Sequence, residues 1–222
     1  MTKILATVIL IVVFCAAPVL AEQTKPVSFA VKGGINPAFQ EFEPDPENRD
    51  GNLMGFGGGA TLGINLGPYF SIDTDLLYVR KGGKYEDRYR NGNEMDGEDR
   101  IFKSEIALDY VVVNPMIRIA PKTDGARPFL MAGPEFGFLM TAEWSFDNDM
   151  GKSTQDAKDD FKETDFGINF GAGLEIPTNS STAFFVEGRY SLGMTDIVVE
   201  TDVENSTTIK NRSIFIFGGI RF

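Results

Sequence analysis

The 222-residue chain contains no histidine and one cysteine, Cys15. Histidine is the usual general base near neutral pH and the commonest metal-binding side chain, so its absence excludes histidine-dependent catalysis. Basic residues are also scarce, since 21 Lys and Arg stand against 32 Asp and Glu and the formal net charge is -11. A pI near 4.5 disfavours nucleic-acid binding. We therefore expect no nucleic-acid partner.

The N-terminus is typical of an export signal. Lys3 precedes the apolar run 4–17, and a small-x-small site ends at Ala21. These features predict a cleaved signal peptide over residues 1–21 and a single mature domain over residues 22–222. Cleavage also removes Cys15, which leaves no disulfide, thiolate nucleophile or cysteine zinc site. An uncleaved anchor is the alternative, because residues 4–21 approach the length that spans a bilayer.

The last ten residues, 213–222, read S-I-F-I-F-G-G-I-R-F and alternate with period two. Ile214, Ile216 and Ile220 fall on one face, whereas Ser213 and Arg221 fall on the other, and this alternation predicts a β-strand. A strand that ends a sheet exposes an unpaired edge and promotes aggregation. A barrel removes this edge by pairing the last strand with the first.

Eight segments are predicted strands, and their connections alternate between long and short. The strands are residues 27–36, 53–66, 69–81, 102–120, 128–146, 164–176, 182–198 and 213–222. The long connections are residues 37–52, 82–100, 147–163 and 199–210, which hold 20 of the 32 acidic residues. Short periplasmic turns and longer external loops are typical of outer-membrane barrels. The predicted fold class is therefore all-β, an eight-stranded antiparallel up-and-down transmembrane β-barrel with acidic extracellular loops.

The two faces of the predicted strands differ in chemistry. In 53–66 and 164–176 one face is apolar and the other is largely glycine with a few polar or acidic residues. Repeated glycine suits a crowded narrow lumen, where side chains fill the interior. The side chains predicted to point inward are Lys32, Asp73, Asp75, Arg118, Glu135, Asp165, Glu175, Glu187, Arg189 and Arg221 as an ion-pair network, with Met131, Phe185, Phe215 and Phe217 as a plug.

Two local features complete this prediction. Tyr78, Trp144, Tyr190 and Phe222 are candidate interfacial aromatics. The apolar residues of 102–120 change phase near the middle of the segment, and a β-bulge at residues 112–115 would explain the change, because Pro115 cannot donate to a ladder.

Several segments resemble the PorT-type outer-membrane β-barrel family of Bacteroidetes and relatives. They are D-T-D-L-L-Y-V-R-K-G-G-K (73–84), Y-V-V-V-N-P-M-I-R (110–118), P-F-L-M-A-G-P-E-F-G-F (128–138), D-F-G-I-N-F-G-A-G-L-E (165–175), R-Y-S-L-G-M-T-D-I (189–197) and the terminal G-G-I-R-F. The resemblance implies a porin-like barrel of the Gram-negative cell envelope, inserted by the barrel-assembly machinery, which recognises a terminal strand ending in an aromatic such as Phe222. The family's founding member takes part in protein secretion. Val112 and Val113 stand where the family more often has an acid, so no role of that acid transfers.

The sequence predicts a non-enzymatic protein with a structural or interaction role. Outer-membrane enzymes of similar architecture rely on histidine, and the nearby pair Asp73 and Asp75 is better explained as part of the lumenal network. No catalytic, cofactor-binding or metal residue is predicted, and no cofactor is expected. The expected partners are outer-membrane lipid, lipopolysaccharide, and an envelope or secretion protein. Two alternatives remain: a small channel for ions or solutes, and a soluble periplasmic ligand-binding barrel.

Overall fold

The computed structural model describes residues 26–43, 51–89, 100–123, 125–148, 151–178, 181–199 and 208–222. The predicted signal peptide and parts of all four predicted long connections lie outside these residues. The described chain forms strands β1 (Val27–Glu43), β2 (Leu53–Asn65), β3 (Phe70–Tyr89), β4 (Arg100–Ile119), β5 (Arg127–Asn148), β6 (Gly151–Asp156), β7 (Thr164–Pro177), β8 (Ala183–Gly193) and β9 (Thr208–Arg221), with a short 3₁₀ helix, η1 (Lys158–Asp160), after β6.

Eight of these strands close into a ring. Every neighbouring pair is antiparallel, β1 pairs with β9, and β4 pairs with β5. The ninth strand, β6, pairs with the end of β5 and lies outside the ring. The ring confirms the predicted eight-stranded antiparallel up-and-down barrel.

The barrel has two unlike rims. One rim, which we name the lower rim, holds the tight connections after β2, β4 and β7, together with the start of β1 and the end of β9. The opposite, upper rim holds the longer connections. Above the upper rim, β3, β4 and β5 extend beyond the ring and form a four-stranded sheet with β6, which we call the fin.

β1 is longer than the predicted strand 27–36 and runs through Pro37 to Glu43. Proline has no N–H to give to a ladder. Accordingly, the pairing of β1 with β9 is interrupted at Asn36 and Pro37 and resumes at Ala38 in the same register. The interruption is local, so the strand continues.

Other strands also extend into the predicted connections. β3 continues to Tyr89 and β4 begins at Arg100, both inside the predicted connection 82–100. Lys84 pairs with Glu105 across these strands at 3.1 Å. Such extensions carry polar residues on both faces, so the period-two hydrophobic pattern that marks a strand in sequence is missing.

Two predicted boundaries near the C-terminus were also wrong. β9 begins at Thr208 rather than at residue 213, and Lys210 pairs with Glu43 at 3.2 Å. β8 ends at Gly193, whereas the predicted strand ran to residue 198. The chain after Gly193 leaves the wall of the barrel and folds over its upper rim.

The predicted bulge at residues 112–115 was wrong. β3 and β4 keep one register throughout, and Pro115 lies opposite Thr74. The irregularity lies between β4 and β5, where Asp109 faces Thr141 but Tyr110 faces Leu139. The extra residue is therefore Met140 on β5. Leu108, Tyr110 and Val112 all point inward. The apolar residues that suggested a change of phase are therefore an apolar patch on the lumenal face of a strand whose alternation is unbroken.

Candidate functional site

The inner face of the barrel carries charged side chains that the ring removes from solvent. The predicted network is confirmed, because all ten predicted charged residues point inward and contact an opposite charge. Burying a charge is costly unless a partner and further hydrogen bonds compensate it. The pairs sort into three clusters, which we name lower, middle and upper by their distance from the two rims.

The lower cluster joins β3, β4, β7 and β9. Arg118 Nη2 donates to Glu175 Oε2 at 2.8 Å, and Arg221 Nη2 donates to Asp73 Oδ2 at 2.6 Å. Arg221 also reaches Glu175 at 3.2 Å and donates to Ser28 Oγ at 2.9 Å. These two guanidinium groups therefore balance these two carboxylates.

The middle cluster is a closed four-membered arrangement. Lys32 Nζ lies 2.8 Å from Asp75 Oδ2 and 2.9 Å from Glu187 Oε1. Arg189 contacts the same two carboxylates, each at 2.6 Å. Thr61 adds a hydrogen bond to Asp75. This cluster is neutral and binds β1, β2, β3 and β8 together.

The upper cluster centres on Lys81, which the sequence analysis missed. Its ammonium lies 2.5 Å from Glu135 Oε1 and 3.2 Å from Asp165 Oδ2. Asn169 donates to Glu135 at 2.7 Å, and Asn211 donates to Asp165 at 3.0 Å. One ammonium faces two carboxylates, and Asp165 Oδ1 is buried without a hydrogen-bond partner. The cluster therefore holds one excess negative charge.

Lys81 was detectable in principle. It lies on the same period-two face of β3 as Asp73 and Asp75, and all three are buried. Lys81 is the last residue of the predicted strand 69–81, whereas β3 continues to Tyr89.

Asp73 and Asp75 do not form the acid–base pair that the sequence allowed for. Asp73 belongs to the lower cluster with Arg221, and Asp75 belongs to the middle cluster with Lys32 and Arg189. Each carboxylate is held by cations in a separate cluster. Within the described residues, no three Asp, Glu, Cys or His side chains are grouped closely enough to hold a metal ion.

Apolar side chains fill the lumen between the charged clusters. Met131, Phe185, Phe215 and Phe217 are all buried, as the predicted plug requires. Phe215 and Phe217 stack at 5.2 Å. The gap among Leu77, Val112, Glu135, Arg189 and Phe217 leaves no volume for a water molecule. At this level the lumen is closed.

Glycine makes this filling possible at Gly173 and Gly219. A Cβ at Gly173 would overlap Phe129, and a Cβ at Gly219 would overlap Phe185. The rings therefore occupy space that any other residue would take. This supports the interpretation of lumenal glycine as room for larger neighbours.

A cap made of residues 157–163 and 194–199 covers the upper mouth. Ala157, Phe161 and Ile197 are buried against the lumenal apolar cluster. Lys162 N–H donates to Ile197 O at 2.7 Å, and Ile197 N–H donates to Ile209 O at 2.9 Å. These residues fall in predicted connections and at the end of the predicted strand 182–198, so the cap was not predicted.

The outer face is apolar over the middle of the barrel. Leu130 is 64% exposed, and Phe170 and Ile216 are about half exposed. Soluble monomeric proteins rarely expose a large contiguous apolar surface to water. Ion pairs mark its upper edge, where Arg80 Nε lies 2.7 Å from Asp109 Oδ1 and Arg212 pairs with Glu41. The apolar zone is therefore a belt suited to hydrocarbon.

Aromatic side chains lie at the edges of this belt. Phe222 stacks on Phe29 at the lower edge, with ring centroids 6.4 Å apart. Tyr78 stacks on Phe56 near the upper edge, and Tyr190 is exposed on the outer face. Trp144, the fourth candidate, lies in the fin, where its Nε1 donates to Ser104 Oγ. Among the described residues, no helix is long and apolar enough to cross a bilayer.

A family model described as outer membrane protein beta-barrel domain matches residues 21–199. The chain belongs to this family. It is therefore an outer-membrane β-barrel protein, in agreement with its apolar belt. The structure contradicts the soluble periplasmic alternative, which required the aliphatic faces to turn inward.

Several solved structures are similar to this chain in fold. Neisserial surface protein A is 14% identical, with 87% of this chain and 95% of that chain covered and a TM-score of 0.45. OprG from Pseudomonas aeruginosa is 11% identical over 88% and 95% of the two chains, with a TM-score of 0.42. Ail of Yersinia pestis, solved with the heparin analogue sucrose octasulfate, is 13% identical over 88% and 99%, with a TM-score of 0.41. No curated protein matches the chain.

Proposed function

We propose that this protein is a non-enzymatic, plugged outer-membrane barrel whose work is done by its extracellular segments. The observation that carries the proposal is the filling of the lumen. Three ion-pair clusters, the Phe215–Phe217 stack and the cap occupy the space through which a channel would conduct. The barrel then acts as an anchor, and the fin and acidic loops meet the exterior.

The proposal includes the finer expectations from the sequence. Residues 1–21 direct export and are removed, and residues 22–222 form the mature domain. The terminal strand ending in Phe222 recruits the barrel-assembly machinery. The acidic loops contact an envelope or secretion protein, in keeping with the resemblance to the PorT-type family, and the belt contacts lipid and lipopolysaccharide.

A conductance measurement distinguishes the hypothesis of a plugged anchor from that of a small channel. Purified protein in planar bilayers is expected to show no discrete conductance steps. A double variant, Phe215→Ala with Phe217→Ala, serves as the opened comparison, because it removes the stacked rings and leaves the ion pairs in place. Ohmic steps from the wild-type protein itself would favour the channel.

Cysteine labelling in intact cells tests the interaction role. Ser153→Cys places a thiol on the exposed strand β6 of the fin, and Ser181→Cys places one in a lower-rim turn. A membrane-impermeant maleimide is expected to label the first variant and not the second. A photoactivatable crosslinker attached at residue 153 should then yield one discrete adduct. Labelling of residue 181 alone would show that the barrel has the opposite orientation in the membrane. The absence of any crosslink from residue 153 would argue against the interaction role.

A further inference from the structure

The lower rim holds a partly open cavity of about 350 Å³. Arg127, Glu175 and Arg221 line it, together with Ser28. Its volume is many times the share of about 30 Å³ that a water molecule takes in the liquid. The cavity is therefore large enough for a small ligand and its hydration shell.

The guanidinium groups at this rim outnumber their carboxylates. Arg118, Arg127 and Arg221 all approach Glu175, at 2.8, 3.9 and 3.2 Å, and Arg221 also contacts Asp73. Three cations thus face two anions. Among the described side chains of the lower cluster, Arg127 therefore adds one positive charge that no further carboxylate side chain offsets.

Arg127 carries that excess. Its Nη1 lies 3.9 Å from Glu175 Oε1, beyond hydrogen-bond distance, and no hydrogen bond joins the Arg127 side chain to a described residue. Its Nε is buried without a partner, while the side chain as a whole is 43% exposed toward the cavity. A buried donor without an acceptor is unfavourable. The Nε atoms of Arg118 and Arg221 are also buried without a hydrogen bond, but, unlike Arg127, each of these two side chains makes a short bond to a carboxylate.

We propose that this cavity is a binding site for one singly charged oxyanion, a carboxylate or a phosphodiester, held by Arg127 with help from Arg221. The planar fork of arginine matches the two oxygens of either group. A single negative charge balances the Arg127 side chain, and Glu175, which also lines the cavity, repels a second anion. In outer-membrane barrels the rim with tight turns faces the periplasm, so the ligand is a soluble periplasmic anion or an inner-leaflet lipid headgroup.

Arginine side-chain NMR tests the site directly. The full protein, labelled with ¹⁵N-arginine and folded in a non-ionic detergent, is titrated with dimethyl phosphate and separately with acetate at constant ionic strength. The Nε–Hε signals of Arg127 and Arg221 are expected to shift and saturate in the millimolar range. In Arg127→Gln the Arg221 shift should disappear, and Arg127→Lys should weaken binding several-fold because the charge remains but the fork is lost.

Arg212→Gln is the matched control, since Arg212 lies at the upper rim and pairs with Glu41. This variant should keep the saturable shifts. Nanodiscs with and without phosphatidylglycerol identify the source: a lipid headgroup would shift the Arg127 signal before any titration and block the response to dimethyl phosphate. Shifts that grow linearly and equally at all arginines, or an Arg221 response that persists in Arg127→Gln, would overturn the site. Heat-modifiable mobility confirms that each variant is folded.

Discussion

Lys81 on β3 and Glu135 on β5 meet across the lumen, with Nζ 2.5 Å from Oε1, although the two strands are not neighbours in the ring. Lys32 and Glu187 do the same between β1 and β8. Side-chain bonds between strands that share no ladder brace the barrel across its interior. The lumen thus contributes to the stability of the fold as well as closing it.

Removal of Lys81 is expected to destabilise the barrel strongly. Lys81→Met leaves Glu135 and Asp165 buried without their cation, which costs about 3–5 kcal/mol for a broken buried pair. Urea unfolding in detergent, followed by heat-modifiable mobility, measures the loss. Asp165→Asn is the control, because it keeps the Lys81–Glu135 pair and removes the excess negative charge. Equal losses in the two variants would contradict the charge balance that we assign to the upper cluster.

The belt predicts a position-dependent effect of charge on β7. Phe170 lies near the middle of the outward apolar run, so Phe170→Arg should cost about 2–4 kcal/mol of stability in the membrane. Thr164→Arg, on the same strand and face but at the upper end, should cost about 0–1 kcal/mol. Refolding into lipid vesicles under urea measures both values. Similar costs at the two sites would place the membrane elsewhere on the barrel.

Two glycines on neighbouring strands should respond differently to a methyl group. Gly173→Ala directs a Cβ into the Phe129 ring and is expected to destabilise by about 1–3 kcal/mol, the usual cost of overpacking. A Cβ at Gly188, on the outer face, meets nothing within 4 Å. Gly188→Ala should therefore be close to neutral. The unfolding midpoints of the two variants and the wild-type protein measure both effects. No change in stability in Gly173→Ala would show that the lumen is less tightly packed than the structure indicates.

The cap should detach without loss of the barrel. Ile197 is fully buried in the cap, so Ile197→Asp places a carboxylate in an apolar site and should release residues 194–199. Limited proteolysis is expected to cut the variant in this segment while the heat-modifiable band persists. Met194→Asp, at an exposed position in the same segment, should stay resistant. Global unfolding of Ile197→Asp would instead make the cap part of the folding core.

The alternation of side chains was predictable because it is a local property. In a closed ring each strand has one face toward the lumen, so the period of two in β7 assigns Asp165 and Glu175 inward and Phe166 and Leu174 outward from the sequence alone. The structure confirms these assignments. The same reasoning failed where both faces are polar, at the extensions of β3 and β4, because there the pattern contains no contrast between faces.

The amino-acid sequence alone predicted the eight-stranded barrel, its apolar outer face and ten of the charges that turn inward, because the period-two pattern is a property of residues close together in the chain. It did not predict Lys81. Which charges meet depends on the folded ring. Lys81 contacts Asp165 rather than Asp75 on its own strand, because the register of every strand around the ring sets the height of each side chain. The bulge at Met140 and the burial of Ile197 have the same origin: both depend on how distant segments align once the ring has closed.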